Sequence, residues 1–233
     1  MHKTNKLYVI LFLLLTSLSL NGCLNVRQKT VINEDGSGTI NLHYWMRSQG
    51  EIPYGDEIDG YSFIESEARK KYTSYNTVIK EFRKFDDSKD TTNHIELTMD
   101  FKNINKLSET PGFSRVQISY VKGKDGYDFR YFIPKDTTLK QEYIKDDHTL
   151  EYTFEFPKEV KTSNGTILDT KDHNSVKWVI PVKEHKIKDF EMIATVKDKS
   201  GICGLFGMEL PLILIAGLVF IKFKKRKSKK III

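Results

Sequence analysis

Cysteine is nearly missing from this 233-residue chain, which has two, at positions 23 and 203. Both belong to apolar segments near the chain ends, so the long middle section has no disulfide framework of the kind that staples small secreted domains. It must be stabilised by side chains packing together. Glycine-rich phosphate loops, a Gly-x-Ser-x-Gly elbow and a dinucleotide fingerprint are also lacking, which leaves nucleotide-dependent and serine-hydrolase chemistry without their usual motifs. There are no low-complexity linkers and no repeats of fixed period. Excess positive charge is missing from the middle as well. The formal charge is +6, but Lys3 and Lys6 lie at the start and seven basic residues from Lys222 to Lys230 at the end, where Glu209 is the one acid of the apolar segment before them. Setting these aside leaves 28 basic against 30 acidic groups, a balance that excludes nucleic acid as a partner.

What is present begins with two apolar ends. Lys3 and Lys6 precede an uncharged run from Leu7 to Leu15, then Thr16 to Gly22 and Cys23. A basic start, a short apolar run and small residues before a break describe an export signal. The run is too short to span a bilayer, which takes about 20 apolar residues. Residues 1–22 are therefore expected to be a signal peptide; the alternative is an uncleaved N-terminal anchor with an incidental cysteine. At the other end, 202–223 is apolar apart from Glu209 and Lys222, and a basic stretch follows. That pattern predicts a transmembrane helix over 202–223 and a cytoplasmic tail over 224–233, which would place 23–199 outside the cytoplasmic membrane. No Leu-Pro-x-Thr-Gly sorting signal precedes the helix.

Between these ends, alternation dominates. Ile40–Met46, Ile95–Phe101, Val116–Tyr120, Tyr127–Ile133, Leu150–Phe156, Val176–Ile180 and Phe190–Val196 each place apolar residues at every second position, the mark of antiparallel strands with one wet face. A further strand is expected near Val26–Ile32, before the turn at Glu34–Gly38. Asp35-Gly36 and Asp125-Gly126 supply hairpin turns. Tyr61, Ile64, Ala68 and Tyr72 fall at helical spacing, and a further turn is expected at Asn103–Leu107. The expected fold is α+β: a mostly antiparallel sheet of about eight or nine strands, one amphipathic helix on its dry face, and the C-terminal transmembrane helix. Because few residues separate the strands from either membrane segment, both chain ends are expected at one pole, with the first and last strands close neighbours.

Candidate chemistry is sparse. His43, His94, His148, His173 and His185 show no metal-ligand spacing and read as strand-surface positions. Asp86–Asp90 lacks the glycine and distant glutamate of a calcium loop and reads as a charged hairpin turn. Asn164-Gly165 reads as a turn. Trp178 belongs to the core. Trp45 faces away from Tyr44 and Met46, either as an exposed apolar contact or as cover for the sheet edge.

Leu20-Asn21-Gly22-Cys23 resembles a bacterial lipobox, with Asn21 departing from the usual small residue. The resemblance implies a diacylglyceryl group on Cys23, and hence a bilayer contact through Cys23 as well as 202–223. The chain also resembles the LppM-like family of bacterial lipoproteins. The carrying residues are Asn33–Thr39, Phe156-Pro157 through Val160, Asn164-Gly165, and Val176-Lys177-Trp178 through Pro181. These motifs hold no reactive group. The resemblance implies an envelope domain akin to lipid-binding modules, non-enzymatic and without a cofactor or metal. Three functions compete: binding a lipid or glycolipid at the outer leaflet, scaffolding a membrane complex, and hydrolysis by convergent carboxylates.

Overall fold

The computed structural model describes residues 24–47, 57–58, 60–137 and 148–198. The chain divides after Lys197 into two units, and all the elements below lie in the first. The strands are β1 (Asn25–Ile32), β2 (Gly38–Arg47), β3 (Glu57–Ile58), β4 (Tyr61–Ser62), β5 (Thr77–Asp87), β6 (Thr92–Phe101), β7 (Gln117–Lys122), β8 (Tyr127–Ile133), β9 (Thr149–Glu155), β10 (Val160–Ser163), β11 (Thr166–Ile167), β12 (Ser175–Pro181) and β13 (Phe190–Val196). Helix α1 covers Glu65–Tyr72, 3₁₀ turns cover Ile104–Glu109 and Pro111–Phe113, and one helical turn covers Val182–His185.

The strands form a seven-stranded sheet, β11-β12-β9-β1-β2-β6-β5, a four-stranded sheet, β10-β13-β8-β7, and the small β3-β4 pair. β1 pairs parallel to β9, while the other neighbours in both sheets are antiparallel. The inward positions are those the alternation marks: Leu42, Tyr44, Leu97, Met99, Phe129, Tyr131, Tyr152 and Phe154 are all buried. Rings interlock between the sheets, with Phe129 and Phe154 4.6 Å apart and Tyr131 and Tyr152 5.8 Å apart. Over β2, the cover comes instead from β4 and the residue after it, with Tyr61 and Phe63 packing on Tyr44. α1 has Glu65 and Glu67 in its first turn and Arg69, Lys70 and Lys71 in its last, matching the helix dipole, and it buries Ala68 and Tyr72.

Two hairpins form where Asp-Gly pairs stand. In the first, Asp35 Oδ1 accepts from the Ser37 amide at 2.9 Å and Gly36 adopts φ +81°, a conformation that strains any side chain. The charged turn expected over Asp86–Asp90 closes the β5-β6 hairpin slightly later, at Ser88–Thr91, with Asp86 and Asp87 still in β5. Asn164-Gly165 marks the corner where the chain leaves the small sheet at β10 and enters the large one at β11. There Asn164 Oδ1 accepts from Trp178 Nε1 at 2.8 Å and from the Ile193 amide at 3.0 Å, while its Nδ2 donates to the Glu191 carbonyl at 2.7 Å. One side chain thus ties both sheets. Gly165 is required because a Cβ there would lie 2.5 Å from the Trp178 ring.

Three expectations need correction. The fold is mostly β in two sheets, not α+β with one sheet under a covering helix. Alternation in single strands cannot reveal which sheet a strand joins, and the second sheet covers much of the face assigned to the helix. The helix itself has eight residues, and Tyr61 lies in β4, not on it. Among the described residues no helix is long and apolar enough to cross a membrane; the span expected over 202–223 and the tail 224–233 fall outside those residues, and the fold is stated without them. Finally, β1 and β13 are in different sheets and run the same way. Met192 pairs with Tyr131, which packs on Tyr152, the partner of Gln28; Ala194 pairs with Phe129, which packs on Phe154, the partner of Thr30. The start of β1 and the end of β13 therefore lie at opposite poles, separated by roughly 20 Å of strand rise.

Candidate ligand site between the sheets

Toward the pole where β1 begins, the two sheets do not close on each other. A cavity of about 210 Å³ remains, with Leu42, Leu150, Tyr152 and Gln28 from the large sheet on one wall and Tyr131 and Ile133 from the small sheet on the other. Pro111–Val116, Lys71 of α1 and His185 complete its lining. Leu42, Ile133, Leu150 and Phe113 are buried, whereas Arg115 and Ser114 are exposed. The cavity thus combines apolar side chains with polar ones inside, and Arg115 and Lys71 stand at its rim.

The polar groups inside are fixed. Gln28 is buried, donates from Nε2 to Thr30 Oγ1 at 3.0 Å and hydrogen-bonds the Tyr131 hydroxyl. The hydroxyls of Tyr152 and Tyr61 bond to each other. Burial raises the Tyr61, Tyr131 and Tyr152 phenols well above the usual tyrosine value, so they remain neutral hydroxyls. At the rim, Arg115 Nη1 meets the fully buried Asp136 carboxylate at 2.8 Å. His185 is buried beside them, and its Nδ1 has no hydrogen-bond partner among the described residues. Burial pushes its imidazole below the usual value; the Asp136 charge opposes that shift and Arg115 adds to it. A volume of this size is below the roughly 300–1,000 Å³ of sites that enclose a whole small molecule. It fits one end of an elongated amphiphile, with apolar, hydroxyl and amide contacts along the walls.

Cys23 and Glu209 lie outside the described residues. Leu24, the next residue after Cys23, is buried, and β1 begins at Asn25. Trp178 is buried, as expected. Of the histidines, His43 and His94 are strand positions on a sheet face as read, whereas His185 is buried on the helical turn Val182–His185. His173 is on a turn, but His43 and His94 come together on the outer face of the large sheet, with His43 Nε2 2.9 Å from His94 Nδ1. Trp45 stacks on His43 at 4.5 Å and Phe85 on His94 at 4.6 Å, while the Arg27 guanidinium stands 5.6 Å over Trp45. Trp45 is therefore part of an aromatic row on a sheet face and does not cover an edge. Its other member, Phe85, comes from β5, whose pairing no sequence spacing announces. A further groove of about 600 Å³ runs over this face, between Arg27 and Lys29 of β1 and Glu81 and Arg83 of β5. Its charges are mutually paired, as in Arg27–Glu151, Lys29–Glu155 and Arg83–Glu96.

No family model matches this chain, and no curated protein matches it. Among solved structures, the NMR structure of the folded domain of Mycobacterium tuberculosis LppM matches with a TM-score of 0.43 and 16% identity, over 77% of this chain and 94% of that one. A likeness at that level carries no argument about this protein, and the functional reading rests on the chain's own residues.

Proposed function

We propose that this chain is an exported lipoprotein, fastened through Cys23, whose β domain is a non-enzymatic module that takes one end of a lipid or glycolipid between its sheets at the outer leaflet of the cytoplasmic membrane. The observation that carries this reading is the cavity at the β1 pole, whose walls mix apolar side chains with the hydroxyls of Tyr131 and Tyr152 and the amide of Gln28. Its position supports the membrane setting. Gln28, on the cavity wall, is five residues beyond Cys23, a reach of about 17 Å in extended chain. A lipid on Cys23 would therefore hold the cavity close to the bilayer from which its ligand comes. No step of bond making or breaking is part of the reading.

The test is native mass spectrometry of the full chain extracted from membranes in mild detergent. The wild type is expected to carry a covalent diacylglyceryl mass that Cys23→Ser lacks, and a separate non-covalent amphiphile that Leu150→Trp, which fills the cavity, does not retain. A wild type that is consistently free of ligand would contradict lipid binding.

A further inference from the structure

The outer face of the large sheet holds a constellation unrelated to the cavity. His43 of β2 and His94 of β6 sit on adjacent strands as diagonal neighbours on one face, offset by two pairing positions, since His43 is opposite Glu96 and His94 opposite Trp45. The orientation of His94 follows from its neighbours. Asp90 accepts a hydrogen bond from the Thr92 hydroxyl, which commits that proton, so Thr92 Oγ1 must accept from His94 Nε2–H, 2.6 Å away. His94 Nδ1 is then a bare lone pair, and it is aimed at His43 Nε2, 2.9 Å distant. Phe85 lies nearly parallel to the His94 ring, at an interplanar angle of 5°, and Trp45 stacks on His43. Both imidazoles are thereby held in rotamers that bring their nitrogens to one point.

We propose that His43 and His94 form a two-nitrogen clip for a divalent first-row cation of the imidazole-preferring kind, copper or zinc. Two nitrogens bound at 2.0–2.1 Å to a tetrahedral ion are about 3.3 Å apart, so the rings need separate by only a few tenths of an ångström. The proton now between them belongs to His43 Nε2; on metal binding it passes to Nδ1 of the same ring, leaving two lone pairs for the ion. The chain Asp90–Thr92–His94 is the outer support that metal-bound histidines characteristically have, fixing tautomer and ring orientation. Among the described residues no three His, Cys, Asp or Glu side chains are already gathered around a metal position. Glu96 is the nearest third ligand, its Oε1 3.8 Å from His43 Nε2 while its other oxygen holds Arg83. Solvent completes the coordination on this open face. The two nearby guanidiniums are each paired, Arg27 with Glu151 and Arg83 with Glu96, which limits their repulsion of a cation.

The experiment uses the full chain in detergent, free of any affinity tag, with Cu(II) as the probe. Trp45 is the reporter because it touches His43. Saturable quenching at one ion per chain is expected, and it should persist in Trp178→Phe. His43→Asn and His94→Asn should each weaken Cu(II) by far more than tenfold, and Thr92→Val by about tenfold, the usual cost of losing an outer support. Electron paramagnetic resonance of the wild type, which needs no variant to fold, should show coupling to two nitrogens, and Zn(II) should displace the signal. Absence of saturable binding, a spectrum without two-nitrogen coupling, or equal affinity in well-folded His43→Asn and His94→Asn would each overturn the proposal.

Discussion

Strands β8 and β9 cross the domain from one pole to the other, and two residues along them the interior changes character. At the pole where β13 ends, Phe129, Phe154, Phe156 and Trp178 meet with ring centroids 4.6–6.4 Å apart, and no polar atom of these rings but the Trp178 indole nitrogen needs a partner, which Asn164 supplies. Two residues away, on the same faces of the same strands, the phenylalanines give way to Tyr131 and Tyr152, and the sheets part around the cavity. The alternation is the same at both ends; only the side chains differ. The hydrocarbon rings fill the interior at one end, while the phenols at the other hold their hydroxyls on Gln28 and Tyr61 beside a cavity that can admit a guest. One end serves as the fold's clamp and the other as its mouth.

The sharpest way to break this contrast is to truncate the clamp. Phe154→Ala, at a side chain with no exposed surface, is expected to cost about 3–5 kcal/mol in denaturant unfolding, whereas Tyr152→Phe at the mouth should cost no more than about 1 kcal/mol. Similar losses at both positions would erase the distinction. Next in size is Asn164→Ala, which removes three hydrogen bonds that tie the β10–β11 corner to β12 and β13. At about 1 kcal/mol per bond, melting should show a loss of about 2–3 kcal/mol.

The pH dependence is smaller and belongs to the mouth. His185 is held below its ordinary value of 6.5 by burial, as is half-buried His43 on the outer face. When the folded pKa is depressed, the unfolded chain takes up protons first as pH falls, so stability should be flat above about pH 6.5 and decline below it. His185→Gln should flatten part of that slope; a slope unchanged by it would assign the effect elsewhere. The smallest effect on stability is expected for Leu150→Trp, because the added ring enters existing space. It should leave the melting temperature within a few degrees of wild type while abolishing ligand retention.

Much of this framework was legible in the chain. Tyr127–Ile133 and Phe190–Val196 are strands with the bounds their alternation gives, and the Asp-Gly pairs turn where expected. The motif residues Asn164, Gly165 and Trp178 prove to be one structural joint. β5 was illegible because a bulge between Ile79 and Glu81 breaks its alternation, and as an edge strand it keeps Lys80, Glu81, Arg83 and Lys84 among its apolar residues. Strand direction was also illegible, since alternation reads the same both ways; the expectation that both ends share a pole had only linker length behind it. The cavity could not be read because Tyr131 and Tyr152 look like any inward aromatics until the facing sheet is known. The His43–His94 pair depends on the β2-β6 register, which spacing in sequence does not encode.

The central claim is that a membrane amphiphile occupies the cavity lined by Leu42, Ile133, Leu150, Tyr131 and Tyr152. It is tested most directly by feeding living cells a fatty acid that crosslinks on illumination, recovering the full chain and locating the adducts by peptide mass spectrometry. Adducts concentrated on the segments 111–116 and 127–133 and on 149–155, and lost in Leu150→Trp, are the predicted result. Adducts scattered over the outer faces, or unchanged in that variant, would contradict it.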